Sequence, residues 1–284
     1  MINNLLKIII VLITKFFKKI FFWRGYNLTI QHSKINIFSK NSQLNLNIGV
    51  GKYVINNFKS LDFYSKHYYP NKEKFLEERV EYNLRNDKIP FQDNSVDNIY
   101  ASHIIEHIEE KYVIEFIKES YRVLKPSGVL RIVCPDGKFL FNISSFTNDY
   151  WNWRKKGSFS NKQRFTTEWS SIDQYDYLIR ELSTPNCRYY NNKVKNNLPN
   201  NKELKKLNYI ELKEKLREGL TFREKHPGDH INIHDYDCLY EKGIAAGFSK
   251  IVESKKNGSV SIAMQGNEFD KTAPQMSLYV DMVK

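Results

Sequence analysis

Two glycines and one carboxylate, each at the end of a short apolar segment, are the residues best suited by type and spacing to bind a ligand. Gly49 and Gly51 follow the apolar run 44–48, and Asp62 ends the next one, 58–62. A strand ending in such glycines lets the backbone approach a ligand, because side chains there would collide with it. A carboxylate at the end of the next strand can accept hydrogen bonds from two ribose hydroxyls. Glycine pairs also form ordinary turns, so this spacing leaves both interpretations open.

The same segment argues against a dinucleotide-binding fold of the dehydrogenase type. That fold has a third glycine, and an acidic residue about 20 residues further on. Val54 occupies the offset of the third glycine, and Asp62 comes too early in the chain. The dehydrogenase interpretation is therefore rejected.

Three histidines, His226, His230 and His234, recur at a spacing of four residues. Metal binding is one interpretation of this spacing. Pro227 and Gly228 argue against the single helix that would align the three rings. A role in an acceptor pocket and a structural loop both remain open, and we predict no metal site here.

The cysteines and the overall composition exclude several classes of protein. Cys134, Cys187 and Cys238 show no paired spacing, which argues against a disulfide scaffold and a zinc site, and favours a reducing cytoplasm. Hydrophobic residues make up 41% of the chain and charged residues 27%, as in ordinary globular proteins. The net charge of +12 could attract nucleic acid, anionic lipid or phosphorylated substrates.

Residues 1–24 are strongly apolar but carry five positive side chains and no acidic one. On a helix, the lysines fall on one side and Ile9, Ile13, Phe16 and Phe17 on the other. This pattern predicts an amphipathic helix on an anionic membrane surface, at the inner face of a membrane. Packing against protein and a true membrane span are the alternatives.

Short apolar segments separated by helical ones predict an α/β fold with a mostly parallel sheet covered on both faces. A helix is expected up to about Leu124 and another over Asp235–Gly247, and residues 25–43 give weak evidence for one more strand. The seven strands expected in the sheet are Leu44–Ile48, Phe58–Asp62, Val80–Leu84, Val96–Ala101, Val129–Cys134, Phe248–Glu253 and Ser277–Lys284.

Residues 137–225 differ from the rest, because aromatic side chains lie there among Lys, Arg and Asn. We interpret them as an insertion in a single domain over 25–284, with a loop at Asn186–Asn201 and a charged surface helix at Lys202–Glu218. The insertion could act as a lid over a sugar or phosphorylated acceptor. An ordinary surface insertion is the alternative.

Four motifs in order give the chain a specific resemblance. The sequence resembles class I S-adenosylmethionine-dependent methyltransferases of the type 11 kind, in a group with a short first crossover that often accompanies polysaccharide and lipopolysaccharide biosynthesis. The resemblance implies a Rossmann-like fold and S-adenosyl-L-methionine as the cofactor. The matching segments are Leu46–Gly51, Asn83–Asp97, Ala101–Ile108 and Tyr121–Gly128, with weaker matches at Ala245–Phe248 and Ser277–Val280.

The resemblance also assigns roles to individual residues. Asn83 stands where the group usually has Asp, and Val50 and Lys52 replace smaller residues. His103 would be either the general base for a hydroxyl acceptor or a residue that positions the cofactor, whereas Glu106 and His107 would be structural. The implied cofactor-binding residues are Asn47, Gly49 and Gly51 near the methionine part, Asp62 at the ribose, Asn83 and Leu84 at the adenine, and Ser102 beside His103 at the methyl-transfer face.

The expected function is O-methylation of a glycan or glycolipid intermediate of cell-surface polysaccharide synthesis. A small-molecule or lipid methyltransferase is the alternative within the class. A catalytically silent, membrane-tethered binding protein of the same fold is the alternative outside it. Nucleic acid is disfavoured as a substrate, because the Asn-Pro-Pro-aromatic signature of amino-methylating enzymes is absent after the fourth strand.

Overall fold

The computed structural model describes residues 26–31, 34–39, 43–51, 53–145, 149–156, 174–190, 193 and 198–284. The amphipathic helix predicted over residues 1–24 lies outside these residues. None of the helices in the described part of the chain has the length and hydrophobicity needed to cross a bilayer.

The chain divides into two units at Leu44. In the first unit, β1 (Tyr26–Gln31) and β2 (Lys34–Ser39) form an antiparallel hairpin, whereas the pattern of residues 25–43 weakly indicates a single strand. The second unit, Asn45–Lys284, contains all of the candidate site residues.

A seven-stranded sheet forms the centre of the second unit, with the order β5-β4-β3-β6-β7-β9-β8. Only β9 runs in the opposite direction to the other six strands, which confirms the mostly parallel, Rossmann-like fold expected from the sequence. The strands are β3 (Asn45–Ile48), β4 (Phe58–Asp62), β5 (Val80–Glu81), β6 (Val96–Ser102), β7 (Leu124–Pro135), β8 (Lys250–Glu253) and β9 (Ser277–Val283).

The strand order reverses between β3 and β6, which are parallel neighbours at the middle of the sheet. All four residues of β3 are buried, because the strand has a partner on each side. In open α/β sheets, ligands bind at the carboxyl ends of the strands, where the order reverses. The glycines after β3 and Ser102 at the end of β6 therefore lie at the expected edge.

Eight α-helices lie in the described part of the chain, and local sequence signals fix several of their ends. The Asp235 side chain caps α8 by accepting a hydrogen bond from the Cys238 N–H, and Gly247 ends it in a left-handed conformation, φ 103°. The helices are α1 (Lys72–Glu78), α2 (Glu110–Val123), α3 (Gly137–Asn142), α4 (Asp149–Lys156), α5 (Gln174–Leu182), α6 (Asn201–Leu204), α7 (Tyr209–Arg217) and α8 (Tyr236–Ala246).

Three segments differ from the sequence expectation. The strand predicted at Val80–Leu84 contains only Val80–Glu81, because β5 is an edge strand paired with β4 alone. The strand predicted to begin at Val129 begins at Leu124, directly after α2. The surface helix predicted at Lys202–Glu218 is two helices, since Asn208 starts α7 with a capping box.

Much of the described part of 137–225 packs around one hydrophobic cluster, most of whose residues come from this segment. Trp151 is fully buried, and its indole N–H donates to the Ile143 carbonyl at 2.7 Å. Leu212 and Leu216 of α7 are also fully buried, so this helix is not simply a charged surface element. Ile233 and Met276, from outside the segment, belong to the same cluster. The described helices of this segment are thus anchored to the rest of the unit by apolar packing.

Candidate active site

The loop after β3 has the backbone conformation that its two glycines allow. Gly49 has φ 69° and Gly51 has φ 53°, a region that residues with a Cβ rarely adopt. A Cβ at Gly49 would lie 2.0 Å from Cγ2 of Ile104, so this position must be glycine for packing reasons. A Cβ at Gly51 would meet nothing within 4 Å, because the space next to it is open.

Asp62 lies at the end of β4 and holds this loop. Its Oδ2 accepts a hydrogen bond from the Gly51 N–H at 2.9 Å, and its Oδ1 accepts one from the Phe63 N–H at 2.8 Å. Burial raises the pKa of this carboxyl, although these hydrogen bonds act in the opposite direction. The Tyr69 hydroxyl also binds Oδ2, so one acceptor position, on Oδ1, remains for a ribose hydroxyl.

Tyr69 is a partner of Asp62 that sequence reasoning missed. Its hydroxyl donates to Oδ2 of Asp62 and lies 3.1 Å from the Gly51 carbonyl. Burial and the neighbouring Asp62 raise the pKa of the phenol, so the hydroxyl keeps its proton. The guanidinium of Arg79 lies over the Tyr69 ring, 4.9 Å from its centre. No local pattern marks Tyr69, because the contact depends on how the segment after β4 folds back.

Asn83 and Leu84 form a turn after β5. The Oδ1 of Asn83 accepts the Arg85 N–H at 3.1 Å, and the Asn83 N–H donates to Asp87 at 2.7 Å. The Leu84 N–H has no hydrogen-bond partner among the described residues. The turn thus presents a free backbone donor, while the Asn83 side chain stabilises the turn itself.

Asn47 stabilises the glycine loop through a hydrogen bond to the backbone that follows it. Its side chain is 3% exposed and donates to the Tyr53 carbonyl at 3.1 Å. It borders a small neighbouring cavity of about 30 Å³ and does not line the main one. Its predicted contact with the cofactor stays a prediction.

The other predicted residues surround one cavity of about 410 Å³, a volume within the usual range for small-molecule sites. The structure therefore brings together segments that are far apart in the sequence, although their individual roles stay predictions. The predicted residues in the cavity wall are Gly49, Gly51, Asp62, Asn83, Leu84, Ser102 and His103.

His103 lies in this wall with both ring nitrogens engaged. Nδ1 is 3.0 Å from Oε1 of Glu106, and Nε2 is 2.9 Å from Oγ of Ser277. The residue has φ 54°, a strained conformation that is often kept at functional sites. In this arrangement no ring nitrogen is left to take a proton from an acceptor.

Glu106 lies at the centre of a group of histidines. The residue is 2% exposed, and its carboxylate contacts His103 and lies 3.8 Å from Nε2 of His107. Burial opposes ionisation of this carboxyl, but His107, His103 and His230 outweigh it and lower its pKa to about 2. The site thus holds a buried negative charge beside the cavity.

The three histidines spaced by four residues do not converge. His230 lines the cavity and lies next to His107, with ring centres 5.2 Å apart. His234 is buried elsewhere, with Nε2 3.2 Å from the Ile105 carbonyl, and His226 does not line the cavity. The spacing of four residues therefore does not mark a shared site in the structure, and His230 lies beside His107 instead. The sequence had no spacing signal for this contact.

These residues fit the cofactor that the sequence resemblance implies. Gly51 has open space beside it, the partly buried carboxylate of Asp62 can accept a hydrogen bond from a ribose hydroxyl, and the free Leu84 N–H can donate one to a nucleoside base. These residues would hold S-adenosylmethionine.

Comparisons with known proteins agree with this geometry. Residues 48–132 match a family model described as a methyltransferase domain. No curated protein sequence matches the chain.

Similar solved structures include S-adenosylmethionine-dependent methyltransferases. One from Archaeoglobus fulgidus is 13% identical (85% of this chain, 86% of that one, TM-score 0.39), and one from Thermotoga maritima is 13% identical (85% and 82%, TM-score 0.37). The methyltransferase SibL is 11% identical over 85% of this chain, which spans half of its length, with a TM-score of 0.39. The matched segment, residues 48–132, shows that the chain contains a methyltransferase domain.

Proposed function

We propose that the enzyme O-methylates a glycan or glycolipid intermediate of cell-surface polysaccharide synthesis. The observation that carries this proposal is the exposed aromatic surface at the cavity. Tyr53 and Tyr68 both line the cavity and are 53% and 43% exposed. Flat, exposed rings beside a reaction cavity are suited to stacking on a sugar ring, and their hydroxyls can bond to sugar hydroxyls.

A basic group at the same cavity supports a phosphorylated acceptor such as a sugar phosphate or lipid-linked sugar. The guanidinium of Arg85 lies 3.9 Å from the centre of the Phe222 ring, and both residues line the cavity. Arg85 forms no ion pair with a carboxylate in the described part of the chain. A fixed, uncompensated guanidinium can bind phosphate through two hydrogen bonds.

The rate of methyl transfer depends chiefly on how the acceptor oxygen is aligned with the methyl group. When bound, the cofactor would supply a methyl group on a positively charged sulfur, and this group would pass to the acceptor oxygen as the C–S bond breaks and the oxygen loses its proton. Ile104 and Ile108 give the cavity an apolar wall that limits access of water to the methyl group. The chain therefore contributes orientation and dehydration, which are worth several kcal/mol in such displacements.

His103 acts in this proposal as a positioning residue rather than as the general base. Both ring nitrogens are held, one by Glu106 and one by Ser277. Release of the acceptor proton then needs another means of lowering the pKa of the acceptor hydroxyl.

Mass spectrometry with the full-length chain tests the proposed acceptor class. We expect S-adenosylhomocysteine release, and a mass gain of one methyl group, with sugar phosphates or lipid-linked sugars. Tyr53→Ala and Tyr68→Ala should raise KM for the glycan, whereas Tyr240→Ala, 43% exposed and outside the cavity, should not. Turnover only with non-glycan small molecules would replace this proposal with the small-molecule alternative, and no release with any acceptor would favour the silent binding protein.

We also propose that residues 1–24 associate with an anionic membrane surface, which would bring a lipid-linked acceptor close. The support is the sequence pattern alone, with positive side chains on one side and isoleucine and phenylalanine on the other. Sedimentation with anionic liposomes should deplete the full chain but not a chain that starts at residue 25. Equal depletion of both would contradict this proposal.

A further inference from the structure

We propose that Glu106, His107 and His230 form a binding site for a divalent transition-metal ion of the zinc type in the wall of the cavity. Each residue offers one ligand atom, and these atoms lie within 4.8 Å of one another. All three residues line the cavity described above. Two imidazoles and one carboxylate, with the remaining positions open, make the ligand set of catalytic zinc sites and of related transition-metal sites.

The hydrogen bonds of the two histidines direct a lone pair of each toward this site. Nδ1 of His107 lies 2.9 Å from the Asp229 carbonyl, and Nδ1 of His230 lies 2.7 Å from the Glu181 carbonyl. A carbonyl oxygen only accepts, so Nδ1 carries the hydrogen in both rings and the neutral ring keeps its lone pair on Nε2. Backbone carbonyls support metal-bound histidines in the same way.

Glu106 supplies the second, independent observation. It is 2% exposed, and its Oε2 is a buried oxygen without a hydrogen-bond partner among the described residues. Oε1 is held by Nδ1 of His103 at 3.0 Å and lies 3.8 Å from Nε2 of His107. Leaving a buried carboxylate oxygen unsatisfied costs about 1–3 kcal/mol or more, which a bound cation would remove.

The backbone holds the distant His230 segment against Glu106. The N–H groups of Ile231 and Asn232 donate to the Glu106 carbonyl at 2.8 and 3.0 Å. Asp229, which is 3% exposed, is bound by Arg223 and by the Tyr190 hydroxyl. Ligand atoms around a tetrahedral zinc ion lie about 3.3 Å apart. The three ligand atoms here lie within 4.8 Å of one another, so side-chain rotations alone can bring them to these distances.

A cation bound at this site would activate the acceptor hydroxyl. His103 cannot do so, because both of its ring nitrogens are engaged. Coordination of an acceptor hydroxyl would lower its pKa, so that the hydroxyl would lose its proton to bulk solvent as the acceptor binds, and its oxygen could then attack the methyl group. This catalytic role rests on the proposed function, whereas metal binding itself does not.

Metal titration of the full-length chain, without a polyhistidine tag and after chelator treatment, tests the site directly. We expect calorimetry to show one high-affinity Zn²⁺ per chain, and bound Co²⁺ to give the visible absorption of a low-symmetry site with nitrogen ligands. His230→Gln and His107→Gln should weaken binding by more than the 10- to 100-fold typical of losing a supporting hydrogen bond. His67→Gln is the control, since His67 is exposed and outside the cavity.

Circular dichroism and thermal unfolding should show that each variant is folded before its affinity is compared. Failure of the folded wild-type chain to bind Zn²⁺ or Co²⁺, or equal binding by folded His230→Gln, would overturn the metal site. Binding of one ion with no effect on methylation of any hydroxyl acceptor would leave the site standing and refute its role in the proposed reaction.

Discussion

The backbone N–H of Gly51 donates a hydrogen bond across 2.9 Å to Oδ2 of Asp62. Because a single carboxylate orders the loop and keeps one acceptor position on Oδ1 for a ribose hydroxyl, Asp62→Asn should weaken cofactor binding. Hydrogen bonds to a charged group contribute about 1.5–3 kcal/mol, so the Kd for S-adenosylhomocysteine should rise about 10- to 100-fold in calorimetry. Asp237→Asn, an exposed carboxylate outside the cavity, should leave the Kd unchanged. An unaltered Kd for Asp62→Asn would remove the ribose assignment.

The two glycines of the loop form a matched pair for a stability test. Gly49→Ala and Gly51→Ala both place a Cβ in the left-handed region, at about 1–2 kcal/mol each. Only Gly49→Ala also collides with Ile104, so it should lower the free energy of unfolding by at least about 1 kcal/mol more than Gly51→Ala. Gly51→Ala should act chiefly on cofactor affinity. Equal losses of stability in urea titrations would contradict this assignment.

The contacts of His103 predict how its loss changes the pH profile. Asn tolerates the left-handed backbone of this position, so His103→Asn should fold. Because both ring nitrogens are engaged, we expect kcat to fall while the rise of kcat/KM with pH persists. If the variant instead loses that rise, His103 is the general base. His67→Asn should reproduce the wild-type profile.

Glu181 predicts a specific loss of stability in acid. It is 1% exposed, and although burial opposes its ionisation, Arg180 and Arg154 lower its pKa from 4.5 to about 2. A depressed carboxyl pKa adds stability above the unfolded pKa, and this contribution disappears as pH falls toward the folded pKa. Glu181→Gln should therefore be about 3 kcal/mol less stable than wild type at pH 7, with the difference shrinking between pH 4.5 and pH 2. Glu214→Gln, an exposed partner of Arg217, should have little effect in the same denaturant titrations.

The three cysteines should react at different rates with a thiol reagent. Cys134 and Cys187 are 0% and 3% exposed, and burial raises the pKa of both thiols, that of Cys187 to about 11. Cys238 is the most accessible of the three. Native protein should show one fast thiol, and denatured protein three. Fast labelling of Cys134 without unfolding would contradict its burial.

Local signals made the first half of the sheet and the glycine loop predictable. β4 matches the predicted Phe58–Asp62 at both ends, and Asp235 and Gly247 marked the ends of α8 by their capping chemistry. Short apolar runs and cap residues depend on neighbours a few residues away, so sequence alone reveals them.

The parts that could not be predicted depend on distant contacts. His230 meets His107 across 123 positions of the chain, and no spacing rule connects them. The length of β5 depends on having only one neighbour, a property of the assembled sheet. By contrast, the break between α6 and α7 could have been predicted from the capping box formed by Asn208 and Glu211. The charged residues of the segment favoured one continuous surface helix instead.

The position of β9 between β7 and β8 has a consequence for biosynthesis. β9 follows both of its neighbours in the chain, so β8 has no partner and one side of β7 stays unpaired until residues 277–283 leave the ribosome. Exposed strand edges of this kind invite pairing with other chains. We therefore expect the nascent protein to pass through an aggregation-prone stage late in synthesis, in which chaperones that shield open strands would raise the yield of folded enzyme.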